Sequence, residues 1–319
     1  LRFGVSDQFT DVAAMLDAIK PDIVHITTPA QSHASLAIQC LNAGSHVYLE
    51  KPFSLDLAEC EQILTASNAA GKQVCIGHDQ LFDPLWLSLR ERVNSGEIGQ
   101  VRHVESVLGY PISGNFGRQV VNNDNHWVRK LPGGLFQNTI SHPLYRITDF
   151  MLDASPQINA HWRSSEGRDF PTELDVSFVG ESVTGQLHFA TNIPAQRISR
   201  VYGERGTLEY DPDNLVIRKL QSASLPGAFA KIEIPWKQFR EGTGNLISNL
   251  IRFSRSEIHY FSGMRLLFAE FYRATLSGGD LPIPYSEIRR TVSILDEIFD
   301  QCHENCRNNK NAKVGAAHE

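Results

Sequence analysis

The sequence lacks long apolar runs, a basic surplus and a high density of cysteine, and each absence excludes a class of protein. No stretch approaches the ~18 apolar residues that a membrane-spanning helix requires, so no membrane partner is expected. Lys and Arg number 30 against 36 Asp and Glu, a net charge of -6, which leaves no basic footprint for nucleic acid. The five cysteines, Cys40, Cys60, Cys75, Cys302 and Cys306, are odd in number and sit mostly within apolar patterns. Reduced thiols in a cytoplasmic protein are the simplest expectation. Internal repeats and low-complexity segments are absent. What is present is an ordinary globular composition, 41% hydrophobic and 21% charged, and a length of 319 residues that predicts about two domains.

The first 84 residues read as a parallel α/β unit organised around His46-Val47-Tyr48-Leu49-Glu50-Lys51-Pro52. Thr10 to Ile19 has a helical apolar pattern, with Thr10 or Asp11 as its cap. Asp22 to Thr27 is a β-branched strand closed by Thr28-Pro29. Ala30 to Ala43 is a helix, followed by a strand from Ser45 to Leu49. Proline cannot donate to a sheet ladder, so that strand ends at Glu50-Lys51-Pro52. A helix from Asp56, with Glu59 placed for a capping box, runs to Gly71, and Gln73 to Gly77 is the next strand. Alternating strands and helices with short connections imply parallel strands joined by right-handed crossovers. In such sheets ligands lie outside the carboxyl ends of the strands. Thr27-Thr28-Pro29, Glu50-Lys51-Pro52 and Gly77-His78-Asp79 are therefore expected to line one crevice. A random Glu-Lys pair is usually a pair of solvated loop charges; its place at a strand end in this frame favours substrate or cofactor chemistry.

The remainder reads as an α+β domain. A helix at Leu85–Ser95 and a strand at Val101–Leu108 precede a polar segment, Gly109–Pro132, that is long enough to be a lid or substrate loop. Within it Gly114-Asn115-Phe116-Gly117 has no convincing helix after it. Gly133-Gly134 opens a helical stretch, Leu135–Leu152, in which Asn138 and His142 stand four apart on one face. Strands are expected at Gln157–Arg163, Glu173–Val179, Val183–Thr191, Ile198–Tyr202, Gly206–Tyr210, Val216–Lys219 and Lys231–Ile234, forming a large, mostly antiparallel open sheet with helices on one face. Its other face must be hidden, so a homodimer or homotetramer formed through the open sheet face is expected. Helices at Gly244–Leu276 and Ser286–Asn305 close the chain. Cys302 and Cys306 lie on the apolar stripe of the latter, where packing is a better account than a metal site. The expected divisions are 1–84, a partial dinucleotide-binding domain; 85–283, a substrate and oligomerisation domain; 284–306, a packing helix; and 307–319, a disordered tail.

TTPAQSH at 27–33, AGSHVYLEKPFSLDLAE at 43–59, GKQVCIGHDQLFDP at 71–84 and GGLFQNTISHPLYRITDF at 133–150 together resemble the glucose–fructose oxidoreductase/inositol dehydrogenase (Gfo/Idh/MocA) family. The resemblance implies a Rossmann-type domain followed by an open-sheet domain, and an enzyme that uses NAD or NADP to oxidise or reduce a sugar, cyclitol or similar polyol. It implies that Lys51 is the catalytic lysine and that Glu50 reaches the nicotinamide ribose. Thr28, Pro29, His33, Pro52 and His78 would flank the cofactor. His142 would be the general base or a hydroxyl ligand, with Asn138 the third member of the catalytic trio. Trp127, Arg129 and Tyr145 are looser candidates for substrate contacts. The chain departs from the family pattern in three ways. The glycine-rich GxGxxG turn is not among these residues, and on the order of one or two βα units, roughly 30 to 60 residues, are expected before Leu1; this polypeptide alone is then expected to bind dinucleotide poorly. Asn138 stands where many members carry Asp, and Tyr145 where the common pattern has another Asp. An amide can orient a hydroxyl but cannot take a proton. A redox-neutral lyase or hydrolase that uses NAD transiently, and a truncated non-catalytic sugar-binding protein, are the alternatives.

Overall fold

The computed structural model describes residues 4–165, 167–255, 257–259 and 261–315. The chain divides into two units, Leu1–Gly77 with Leu267–Asp296, and His78–Leu266 with Glu297–Glu319.

The first unit holds α1 (Val12–Ile19), β1 (Ile23–Ile26), α2 (His33–Asn42), β2 (His46–Leu49), α3 (Leu57–Ala70) and β3 (Val74–Ile76). The strands form a parallel sheet in the order β1-β2-β3, with Ile26 opposite Leu49 and Leu49 opposite Ile76. Asp11 caps α1 by accepting from Ala14 N–H at 2.7 Å. Asp56 caps α3 by accepting from Glu59 N–H at 2.8 Å, while the Glu59 carboxylate accepts from Leu55 N–H at 2.9 Å, so donors left over at the helix start are satisfied. Val47, Tyr48 and Leu49 are fully buried and pack in one core with Ile63, Leu64 and Val74. Tyr285 closes the outer edge of β3: its hydroxyl accepts from Val74 N–H at 3.1 Å and lies 2.6 Å from Ser67 Oγ.

The second unit contains α4 (Pro84–Asn94), β4 (Val101–Gly109), α5 (Asn115–Asn122), α6 (Gly134–Thr139), α7 (Ser141–Thr148), β5 (Gln157–Arg163), β6 (Glu173–Val179), β7 (Thr184–Ala190), β8 (Gln196–Gly203), β9 (Gly206–Asp211), β10 (Val216–Leu220) and α8 (Ala230–Ser254). Residues of α9 (Ser262–Ser277) and α10 (Tyr285–Gly315) are divided between the two units. The seven strands run in the order β10-β9-β8-β4-β7-β6-β5, antiparallel except for the β4–β7 pair. Burial alternates along β4, β7 and β8: Val104, Ser106, Leu187 and Val201 lie on the face that α7 covers, and their neighbours face outward. The outward face is polar. Glu105 accepts from Arg200 at 3.1 Å and from Tyr202 Oη at 2.9 Å, Arg200 continues to Glu209 at 2.8 Å, and Glu209 to Arg218 at 2.5 Å.

Four expectations are corrected. Lys231–Ile234 is helix rather than strand: the Glu233 carboxylate pairs with Lys237 one turn on and accepts from Ser224 N–H and Leu225 N–H at 2.7 Å each, which holds the helical register. The stretch expected as one helix over 244–276 is two, α8 ending at Ser254 and α9 starting at Ser262. A helix, α5, starts at Asn115, inside the glycine-containing segment that was expected to lack one. Residues 307–315, expected as a disordered tail, continue α10, and the rest of that tail, 316–319, lies outside the described residues.

Candidate active site

In the first unit the carboxyl ends of all three strands carry polar or glycine residues. Thr28 and Pro29, after β1, are exposed. Their turn is fixed from within by Ser32, whose hydroxyl donates to Pro29 O at 2.8 Å and lies 2.7 Å from Thr28 Oγ1. His33, at the start of α2, is buried, and its two ring nitrogens lie 2.9 Å from Pro52 O and 2.9 Å from Thr28 O. It thereby ties the β1 turn to the β2 turn. Burial lowers its pKa, and the two carbonyls and nearby Glu50 offset part of that shift.

Glu50 and Lys51 are half-buried at the end of β2. The Glu50 carboxylate accepts from Tyr48 Oη at 3.2 Å and from Lys51 N–H at 3.2 Å, so its orientation is set by the strand that carries it. Gly77, at the end of β3, is required by this arrangement: a Cβ there would sit 2.8 Å from Tyr48 Oη and 3.2 Å from Glu50 Oε2. The missing side chain of Gly77 thus leaves room for Tyr48 Oη and the oriented Glu50 carboxylate, with the half-buried Lys51 next in the chain.

In the second unit a buried polar cluster surrounds α7. Residues 135–152, expected as one helix, break at Ile140 into α6 and α7, so Asn138 and His142 lie on different helices. Pro143 falls in the first turn of α7, where its missing N–H costs no hydrogen bond. Gly133, before α6, is pressed against α10: a Cβ there would lie 2.2 Å from the Phe299 ring.

His142 keeps 22% of its side chain exposed, and its Nδ1 lies 2.7 Å from Tyr145 Oη and 4.0 Å from Asp79 Oδ1. Tyr145 is buried and also accepts from Gln80 N–H at 3.3 Å. Burial, reinforced by Asp79, holds its phenol well above the ordinary tyrosine range, so it stays neutral. A neutral phenol serves His142 in either tautomer. When Oη donates to Nδ1, Nε2 carries the ring proton and can donate it. When Nδ1–H donates to Oη, Nε2 keeps its lone pair and can act as a base.

Beneath this pair lies Arg146, which donates to Gln80 Oε1 and to Arg197 O (3.4 Å) and stands 4.9 Å above the Tyr210 ring. His78 is buried with its ring 4.6 Å from that of Tyr145. His78 Nε2, Ser141 Oγ and Arg146 Nε are buried without a hydrogen-bond partner.

The other sequence candidates are engaged elsewhere. Arg129 is paired with Asp124 and Asp169 at 2.5 Å each and stands over Phe170, so its charge is committed to its own loop and to the one between β5 and β6. Trp127 stacks on His126 at 5.8 Å. In the Cys302–Cys306 segment, Cys302 is buried, His303 Nε2 lies 2.9 Å from Pro132 O, and Cys306 accepts from Trp162 Nε1–H at 3.0 Å. The residues that sequence reasoning missed are Gln80 and Arg146. Gln80 directly follows a strand-end motif and was within reach of inspection; Arg146 sits in an apolar helix, and a lone Arg there gives no signal.

A three-stranded parallel unit whose strand ends carry the polar residues, joined to an open seven-stranded sheet, defines a Rossmann-type oxidoreductase architecture. Residues 1–78 match the family model described as "Oxidoreductase family, NAD-binding Rossmann fold", and residues 86–209 match the GFO/IDH/MocA C-terminal domain. The chain belongs to the Gfo/Idh/MocA family. It is 32% identical over 93 residues to inositol 2-dehydrogenase of Salmonella typhimurium, covering 29% of this chain and 28% of that protein. It is 35% identical over 97 residues to 1-carboxy-3-chloro-3,4-dihydroxycyclohexa-1,5-diene dehydrogenase of Comamonas testosteroni, covering 30% and 24%. These matches thus span only about a quarter of the length of those relatives. Among solved structures, the WlbA dehydrogenase of Bordetella pertussis in complex with NADH and UDP-GlcNAcA superposes with a TM-score of 0.71 at 16% identity, covering 93% of this chain and 82% of that one. Levoglucosan dehydrogenase in complex with NADH and levoglucosan gives a TM-score of 0.73 at 14% identity, covering 95% and 83%. At such identities these likenesses concern the fold.

Proposed function

We propose that the protein is an NAD- or NADP-dependent oxidoreductase acting on a CH–OH group of a sugar, cyclitol or similar polyol. The observation that carries this reading is His142, partly exposed and held at 2.7 Å by the neutral phenol of Tyr145, an arrangement able to give or take one proton. The cofactor, when bound, supplies the hydride acceptor or donor. Thr28, Pro29, His33 and Pro52 shape its seat, the Glu50 carboxylate accepts from a ribose hydroxyl, and His78 belongs to the same set. His142 Nε2 takes the proton of the substrate hydroxyl in oxidation and returns it in reduction. The Lys51 ammonium stabilises the developing alkoxide charge, and Asn138 orients a neighbouring hydroxyl through its amide. Trp127 and Tyr145 belong to the substrate side. The five unpaired cysteines suit a cytoplasmic setting. Assembly as a homodimer or homotetramer is part of the proposal, with the outward sheet face as one surface for it.

The test is NAD and NADP calorimetry on this chain and on one extended at its N-terminus to include the glycine-rich turn, with steady-state nicotinamide reduction on a panel of polyols for the form that binds. Lys51→Met is expected to lower kcat by about 10²–10⁴-fold with dinucleotide affinity retained. Near-normal turnover in that variant removes Lys51 from the mechanism. Substrate conversion without net NADH formation moves the protein to the redox-neutral lyase or hydrolase reading.

A further inference from the structure

The helix α8 is amphipathic in an inverted sense. Its polar side faces the sheet edge: Glu241 Oε1 accepts from Lys219 N–H at 2.9 Å, and the Asn245 and Asn249 amides donate to Ile217 O and Asn214 O at 3.4 and 3.1 Å. Those polar side chains use up backbone groups that the edge strand would otherwise leave unpaired. The apolar side chains point the other way. Phe229, Ile232, Trp236, Phe239, Leu246 and Leu250 are 58–69% exposed, and Phe253 is 75% exposed. With Thr243, these positions recur at alternating spacings of three and four residues from 229 to 253. That is the a/d spacing of a coiled-coil seam, carried here through about three heptads.

We propose that this seam docks against the same helix of a second copy, antiparallel, about a two-fold axis near Glu241. The spacing is self-complementary in that direction. Phe229 faces Phe253 of the second copy, Ile232 faces Leu250, Trp236 faces Leu246, and Phe239 faces Thr243. The middle pair explains an otherwise costly feature, two glycines inside a 25-residue helix. Gly242 and Gly244 flank Thr243, and a Cβ on either would meet nothing within 4 Å, so the centre of the seam is a shallow saddle that receives Phe239 from the second copy. Parallel pairing would instead set Trp236 against Trp236, leave the saddle facing itself, and align Lys231, Lys237 and Arg240 with their own copies.

The area is sufficient. Aromatic side chains bury about 150–250 Å² each, so seven residues this exposed offer on the order of 900 Å² per copy. Each partner in a stable complex contributes about 800 Å².

The experiment is sedimentation velocity on the full chain over a concentration series, with dimer expected. Phe239→Asp is expected to weaken association by at least about thirtyfold, the effect of losing one hot-spot side chain. Its circular dichroism should be unchanged, because Phe239 is an exposed residue in the single chain. Gly242→Leu, which favours the helix but fills the saddle, should also weaken the dimer. The paired change Phe239→Cys with Thr243→Cys should give an intermolecular disulfide on mild oxidation, and Thr243→Cys alone should not. A monomer at every concentration overturns the proposal. So does a dimer indifferent to Phe239→Asp, which puts the interface on another face. Efficient cross-linking by Thr243→Cys alone overturns the antiparallel arrangement. A monomer that sediments with phosphatidylserine vesicles assigns the seam to a lipid surface instead.

Discussion

His78 makes the acid stability of the second unit predictable. Burial pushes its imidazole down to about 3 from the ordinary 6.5. Its ring lies against Tyr145 and its Nε2 has no hydrogen-bond partner, so burial is not offset by a group that accepts the added proton. The folded pKa is below the unfolded one, so the unfolded chain binds the extra proton as pH falls. The stabilisation is complete above pH 6.5 and is lost progressively as pH drops from 6.5 toward 3. Each pH unit in that window costs about 1.4 kcal/mol, so near pH 5 the loss is about 2 kcal/mol, a large share of a typical stability of about 5–15 kcal/mol. Burial also lowers His103, which steepens the same slope, and lowers His25, His33 and His46 in the first unit. His78→Phe keeps a ring against Tyr145 and removes the proton site. Urea unfolding of both forms over a pH series should show the variant losing stability less steeply, by close to one proton, between about pH 6 and pH 4. A His78 ring that titrates near 6.5 by NMR, or a variant with an unchanged slope, refutes the reasoning.

Two further outcomes follow from the same cluster and its support. Tyr145→Phe removes the hydroxyl that holds His142 and leaves the Gln80 N–H unpaired; kcat should fall about 10- to 100-fold with KM little changed, and the pH–rate profile should shift, which loss of packing alone would not produce. Asp149→Ala strips an acceptor that takes Trp86 Nε1–H at 2.8 Å and Arg90 Nε–H at 2.9 Å; thermal unfolding should show a loss of about 2–4 kcal/mol, and a change under about 0.5 kcal/mol would show the carboxylate to be structurally idle.

The parallel unit was legible because its strands are short β-branched or apolar runs closed by Thr-Pro, Lys-Pro or Gly, and its helices carry their own caps. Strands β5 and β6 were placed within the sequence to the residue, since turn residues bracket each alternating run. Lys231–Ile234 misled because Lys-Ile-Glu-Ile alternates like a strand and is followed by Pro235. What decides its conformation is Glu233 bonding to Ser224 and Leu225, a contact that no local pattern encodes. The break at Ile140 was likewise hidden, because residues 135–152 keep a helical period across it. Arg146 and Gln80 meet across 66 residues of chain, a separation at which sequence spacing carries no information.

The position of Tyr145 shows how far a departure from a family pattern can be interpreted physically. The usual residue there is an acid, which would orient His142 and also stabilise its protonated form. In this chain that position is buried within α7, packed on His78 and bonded to the Gln80 amide. A carboxylate there would have to bear a buried charge, offset only in part by the Gln80 N–H and the Arg146 cation, or become protonated and stop acting as an anion. The phenol escapes that choice. It is neutral across the working range, fills the space with a ring, and still offers one donor and one free lone pair to Nδ1. The consequence is a histidine oriented by a neutral phenol, with the Asp79 carboxylate 4.0 Å from its Nδ1 to favour the protonated form. In the proposed mechanism Lys51 meets the charge that develops on the substrate oxygen, so the loss of turnover on Lys51→Met should exceed that on Tyr145→Phe.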